Sequence, residues 1–302
     1  MPSLPISANS RGIIALIGGM IVYTINDAMV KQIARDYPVG EVICVRGIMT
    51  AIMMGAVMLA LGGGRDLLQA VRSKTALVRS LFDGLSTAMF ITALTHMPLA
   101  DLAAILQLSP LILTAISVLF YREQVGWRRW TAIIVGFAGA LFVVKPTPSS
   151  FDIWAIVALL AATASALRES QTRRSDRSIP TIVIAFMGSV SIVLVGAVLG
   201  AGEDWRPMPP RDLGLLAGAA VFVGMATYLV ALAFRGVDLS VVAPFRYSYL
   251  LTSAAAGYLV FNEVPDLWSA AGAVLIVGSG LYALHREAVR RRELTGQATP
   301  AA

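Results

Sequence analysis

The stretch "ALTHMPLADLAAI", residues 93–105, returns as "AFRGVDLSVVAPF", residues 233–245, about 140 residues later. Both run from small residues through a turn into a new apolar segment. The same shift sets Glu123 of "LFYREQ" on Glu263 of "LVFNEV". It sets Gly136 of "IIVGFAGALF" on Gly278 of "VLIVGSGLYA". Near the start, "NDAMVKQIARDYP" (26–38) falls on "RESQTRRSDRSIP" (168–180), so Asp27 meets Glu169, Lys31 meets Arg173, Arg35 meets Arg177 and Pro38 meets Pro180. One such match is chance; matches in register at both ends of each half indicate a duplication.

Composition says what is duplicated. Of 302 residues, 57% are hydrophobic and 14% charged, against about 25% charged in soluble domains. The mean hydropathy of +0.74 agrees, and the chain reads as a membrane protein. Segments long enough to cross a bilayer fall at 12–32, 40–61, 77–95, 100–120, 128–145, 151–169, 180–200, 213–234, 240–261 and 267–284. These are ten spans, five per half. Turn-rich breaks such as "LGGGRD", "KPTPSSFD" and "EDWRPMPPRD" separate them. The first span reads as retained, not as a cleaved signal. The expected units are a first repeat over 1–145, a second over 146–285 and a basic polar tail over 286–302, its last dozen residues expected to be disordered.

Basic residues orient the chain. With the N-terminus cytoplasmic, only Lys31, Arg35, Lys145, Arg206 and Arg211 fall outside; Arg46 and Arg246 lie within spans, and every other Lys and Arg falls inside. Both termini are therefore expected in the cytoplasm. The net charge of +6 reflects these loops, and no nucleic-acid partner is expected. Five spans per half is an odd number, so the second half enters the membrane from the opposite face. The expected fold is all-α integral membrane, two inverted five-helix repeats, an architecture of secondary transporters.

The ends of the halves, "ALTHMPLADLAAILQLSPLILTAISVLFYREQVGWRRWTAIIVGFAGALFVV" and "ALAFRGVDLSVVAPFRYSYLLTSAAAGYLVFNEVPDLWSAAGAVLIVGSGLYAL", resemble the drug/metabolite transporter superfamily, specifically its EamA-type members. The small-residue start, Pro110, the Glu after the even helix and the Gly-rich last helix carry the likeness. Leu250 stands where Pro110 would align, and Pro244 lies one and a half turns earlier. The resemblance implies alternating-access transport of small organic metabolites, amino acids or related compounds, moved outward from a bacterial inner membrane. It also allows uptake of a larger metabolite, such as a vitamin or nucleoside-like cofactor. The reading from another class is a non-transporting scaffold or receptor subunit.

The charges inside the spans are the candidate site. A charge at mid-bilayer costs about 2.5–3.5 kcal/mol on insertion scales. Asp27 lies roughly 24 Å from the cytoplasmic side, and Arg46 roughly 21 Å, taking a core of about 30 Å. An ion pair or shared polar site is expected there, with Asp27 beside Lys31 at i, i+4 as the alternative. Arg246, flanked by Tyr247 and Tyr249, shares a depth with Asp83. A guanidinium there grips a carboxylate through two parallel hydrogen bonds; the plain alternative is an Arg246–Asp83 salt bridge. Gln107, Tyr228 and Asn26 are further substrate-contact candidates, with helix–helix hydrogen bonding as the alternative. Asp27, Asp83 and Glu169 are the carboxylates available for proton or ion coupling. Glu123 and Glu263 are expected to be structural or gating residues. The two histidines, His96 and His285, fall at opposite membrane faces, and no HExxH, CxxC, GxSxG or phosphate loop is present. Neither enzyme chemistry, a metal nor a cofactor is expected.

Overall fold

The computed structural model describes residues 8–121, 127–144, 153–174, 179–234 and 239–297. Every regular element among them is helical: α1 (Ala8–Ile33), α2 (Val39–Ala60), α3 (Gly64–Arg72), α4 (Lys74–His96), α5 (Leu99–Leu106), α6 (Ser109–Tyr121), α7 (Trp127–Val144), α8 (Ile153–Arg174), α9 (Thr181–Gly200), α10 (Pro210–Ala233), α11 (Leu239–Val242), α12 (Ser248–Phe261) and α13 (Leu267–Gln297), with a 3-10 turn at Ala243–Tyr247 between α11 and α12. Eight segments are long and apolar enough to cross a membrane, and Trp130–Val144 is a shorter apolar helix.

Three features depart from the sequence reading. The "LGGGRD" break runs into a short helix, α3, which packs on α4 and α9. It buries Ala70 and leaves Leu68 and Val71 exposed, the two-faced pattern of an interfacial helix. The spans at 100–120 and 240–261 are not continuous. The first breaks at Gln107–Leu108, and the second passes through the 3-10 turn that holds Pro244. Pro110 and Pro244 lack the amide hydrogen an unbroken helix needs. Lastly, α13 does not stop at Leu284 but continues to Gln297. The stretch beyond Leu284 is rich in Arg and Glu, good helix formers, and no proline interrupts it before residue 297.

The packing is layered around the fourth span. In the most apolar 18-residue stretch of Leu99–Val118, 78% of residues are buried, against 22–39% for the matching stretches of the other spanning segments, so α5 and α6 form the centre. Around them α1 lies on α10, α2 on α9, α4 on α8 and α9, and α7 on α13, while α12 lies between α1 and α5. Lipid supplies no hydrophobic drive between helices, so close van der Waals approach has to. At the α7–α13 crossing Gly139 and Gly272 face each other, and a Cβ on Gly139 would stand 2.8 Å from the Gly272 carbonyl oxygen. At the α2–α9 crossing a Cβ on Gly196 would stand 2.7 Å from the Cys44 amide nitrogen. The main apolar core joins Val30 and Ile33 of α1 to Leu102, Ile105, Leu108 and Leu111 around the break, and to Ile276 of α13.

Candidate functional site

Polar residues on α1 recur at 24, 27 and 31, a spacing of three and four that puts Thr24, Asp27 and Lys31 on one helix face. That face meets α12. Thr24 Oγ1 lies 2.6 Å from Thr252 Oγ1. The Tyr249 hydroxyl donates to Asp27 Oδ2 at 2.7 Å. The α1–α12 seam is therefore a line of polar contacts inside an apolar bundle.

At the middle of this seam sits a four-residue cluster. Asn26 Nδ2 donates to Asp27 Oδ1 at 2.8 Å, and Asn26 Oδ1 accepts from Arg46 Nη2 at 3.0 Å. Asn26, Asp27 and Arg46 are 2%, 4% and 7% exposed. The expected Asp27–Arg46 partnership takes an indirect form, because one amide stands between the two charges. The alternative partner, Lys31, points elsewhere. Arg46 Nε is buried and has no hydrogen-bond partner among the described residues. An orphaned guanidinium donor in a medium without water is costly.

Lys31 belongs to a second cluster nearer the end of α1. Its Nζ lies 2.6 Å from Glu263 Oε1 and donates to the Met97 carbonyl at 2.6 Å. Glu263 Oε2 accepts from the Leu99 amide at 2.8 Å, which satisfies one of the free N–H groups at the start of α5. Arg35 stands 3.9 Å from Glu263 Oε1, and both cations lie over the Phe261 ring. Local backbone aims Glu263 here. Asn262 takes a left-handed conformation, φ 57°, and the Glu263 amide bonds back to the Gly257 carbonyl at 2.9 Å. This is the αL ending of a helix, in which Asn substitutes for the usual Gly. Its equivalent in the first half, Glu123, lies outside the described residues.

A third cluster joins α4 to α8. Arg168 Nη1 bonds Asp83 Oδ1 at 2.6 Å, and Arg79 Nε donates to Thr172 Oγ1 at 2.9 Å. Gly188 on α9 leaves the room that the Asp83 carboxylate occupies. The alternative Arg246–Asp83 salt bridge does not form: Arg168, about four turns along α8 and read from the sequence only as a cytoplasmic cation, takes Asp83. A side chain on α8 faces α4 directly, whereas Arg246 sits in the 3-10 turn and is exposed. Among the described residues Arg246 forms no ion pair. Its carbonyl accepts from Gln107 Nε2 at 3.4 Å, so the breaks in the two discontinuous spans meet each other. The Tyr247 hydroxyl lies against Gly280 of α13.

Two candidates fall away from these clusters. Tyr228, 65% exposed, shares the outer stripe of α10 with Val221, Met225 and Leu232; their spacing of three and four puts them on the side turned from the bundle. Glu169 is half-buried on α8 and forms no hydrogen bond or ion pair among the described residues. No group of three His, Cys, Asp or Glu side chains able to hold a metal occurs among the described residues.

The comparisons with known proteins agree in kind. The model of the EamA-like transporter family matches residues 10–145 and again 152–284. A pseudopaline exporter of Pseudomonas aeruginosa is 27% identical over 88% of this chain and 93% of its own. An S-adenosylmethionine uptake transporter of Rickettsia prowazekii is 25% identical over 92% and 93%. A riboflavin transporter of Vibrio cholerae is 30% identical over 72% and 73%. A protein of known crystal structure superposes with a TM-score of 0.58 at 19% identity, covering 94% of this chain and 99% of that one.

Proposed function

This chain belongs to the EamA-like transporter family, and on that premise we propose that it carries small organic metabolites by alternating access between two inverted five-helix halves. The family and the relatives above are multi-pass membrane transporters of bacteria and not enzymes. Bacterial-membrane location and a small-molecule cargo follow directly. The rest of the reading is ours. The spans number ten when Trp130–Val144 and the α11–α12 unit join the eight long segments. Both termini face the cytoplasm, with repeats over 1–145 and 146–285. The family model's two separate matches support the repeat. So does the packing. Exchanging α1 with α8, α2 with α9, α4 with α10, α5–α6 with α11–α12, and α7 with α13 turns α1–α10 into α8–α4 and α4–α9 into α10–α2. It turns α1–α12 into α8–α6 and leaves α2–α9 and α7–α13 unchanged. A neighbour pattern that survives exchange is what a two-fold relation between halves produces.

The observation that carries the function is the polar seam between the halves, above all the Tyr249–Asp27 bond. Two halves that rock must part along such a seam, and a cargo held between them replaces its contacts. The broken spans meeting at Gln107 and Arg246 add free backbone groups beside it. Arg246, exposed and without an ion pair among the described residues, is the first contact for an anionic group approaching from the cytoplasm, flanked by Tyr247. Amino acids or related compounds moved outward are the cargo this reading favours. Riboflavin is the second reading, favoured by the 30% identical relative of that name.

The test is exchange in liposomes containing the purified chain, with pooled labelled amino acids in one arm and labelled riboflavin in the other. Counterflow of the amino-acid pool, reduced in Arg246→Ala, is expected. Flux of riboflavin alone shifts the cargo to the second reading. Flux unchanged in Arg246→Ala removes that residue from the route, and no flux of either cargo favours a scaffold.

A further inference from the structure

Arg46 and Asp27 are opposite charges buried in the same cluster, yet they do not touch. Left to themselves, such charges collapse into a direct pair, because little else in the bilayer interior neutralises them. Asn26 prevents this by giving its amide N–H₂ to Asp27 and its amide oxygen to Arg46. Asp27 is well supplied, with donors on both oxygens. Arg46 is not: its Nε has no partner among the described residues, although the residue is only 7% exposed. The guanidinium thus keeps its Nε–H free to donate to a carboxylate oxygen, with Nη2 beside it held only by the Asn26 amide oxygen.

Charge balance then restricts what binds. In the present state Arg46 and Asp27 neutralise each other across the amide. A plain anion on Arg46 leaves Asp27 as an uncompensated buried charge, which is strongly unfavourable. A zwitterion brings its own cation and keeps the total at zero. We propose that Arg46 and Asp27, held apart by Asn26, are the head-group site of the transported solute, Arg46 taking its carboxylate and Asp27 its ammonium group. The site draws on both halves, because Tyr249 of α12 fixes the Asp27 carboxylate that Asn26 of α1 spaces from Arg46 of α2. Arg246 then acts at entry and Arg46 at the closed site. This inference rests on the transport reading above.

The experiment uses the full chain in liposomes exchanging the labelled amino-acid pool, challenged with three unlabelled probes that share one tail: norleucine, hexanoate and pentylamine. Norleucine is expected to compete, with hexanoate and pentylamine about tenfold weaker or worse. Asp27→Asn removes the negative charge, so hexanoate should now compete within about threefold of norleucine. Arg46→Gln should abolish exchange, and Arg46→Lys, which keeps the charge without the fork, should retain it at lower affinity. Arg46→Lys, which keeps the buried charge, and the three-probe competition on the unmodified chain keep the test sharp if Arg46→Gln or Asp27→Asn does not accumulate. Wild-type exchange that hexanoate or pentylamine blocks as well as norleucine overturns the assignment. So does Asp27→Asn with unchanged preference. Riboflavin flux with no amino-acid exchange overturns the head-group site and leaves transport standing, whereas no flux of any cargo overturns transport itself.

Discussion

At the residue scale, the fate of buried charge decides most of what can be tested. Glu263→Gln leaves Lys31, 3% exposed, without its carboxylate, and should cost about 3–5 kcal/mol of stability. Lys31→Met should cost less, because Arg35 stands 3.9 Å from Glu263 and remains to neutralise it. The double variant should recover part of the loss; thermal unfolding in detergent measures all three. Tyr249→Phe removes one hydrogen bond to a carboxylate, and a loss of about 1.5–3 kcal/mol is expected, with unfolding midpoints again the readout. That Asp27 and Arg46 share one polar cluster was legible in the sequence, since counting residues along each span brings them to a similar level. The amide between them was not, because Asn26 beside Asp27 reads equally as a cap. Lys31–Glu263 and Arg168–Asp83 join distant parts of the chain, and only packing brings them together. One signal was present and unused: Thr24, Asp27 and Lys31 share a helix face, so a polar partner for all three was implied.

At the element scale, helix crossings depend on the absence of side chains. A Cβ on Gly272 would stand 2.5 Å from the Gly139 carbonyl oxygen. Gly272→Leu should therefore force α7 and α13 apart and lower the folded yield. Gly214 on α10 has nothing within 4 Å of its Cβ position. Gly214→Ala should leave packing intact and raise stability by about 0.5–1 kcal/mol through helix propensity. Fluorescence-detected size exclusion of the two variants, before and after heating, separates the outcomes. Eight of the expected spans coincide with helices long and apolar enough to cross a membrane, because lipid demands long apolar runs. What hydropathy does not see is continuity. The breaks at Gln107–Leu108 and at the 3-10 turn lie inside apolar runs, where proline is the only local sign. The short helix α3 and the extension of α13 were missed for the converse reason: they are helical without needing to cross anything.

At the scale of the whole molecule, the proposed architecture gives each helix of one half a counterpart upside down in the other. The turns that follow α2 and α9 are such counterparts. Leu61 is 71% exposed in the first, and Asp204 is exposed in the second. The lone native cysteine, Cys44, is buried and is replaced by Ala. A membrane-impermeant maleimide applied to intact cells should then label Asp204→Cys at once and Leu61→Cys only after the membrane is opened. Labelling of both positions from the same face would contradict the inverted halves, and with them the site between.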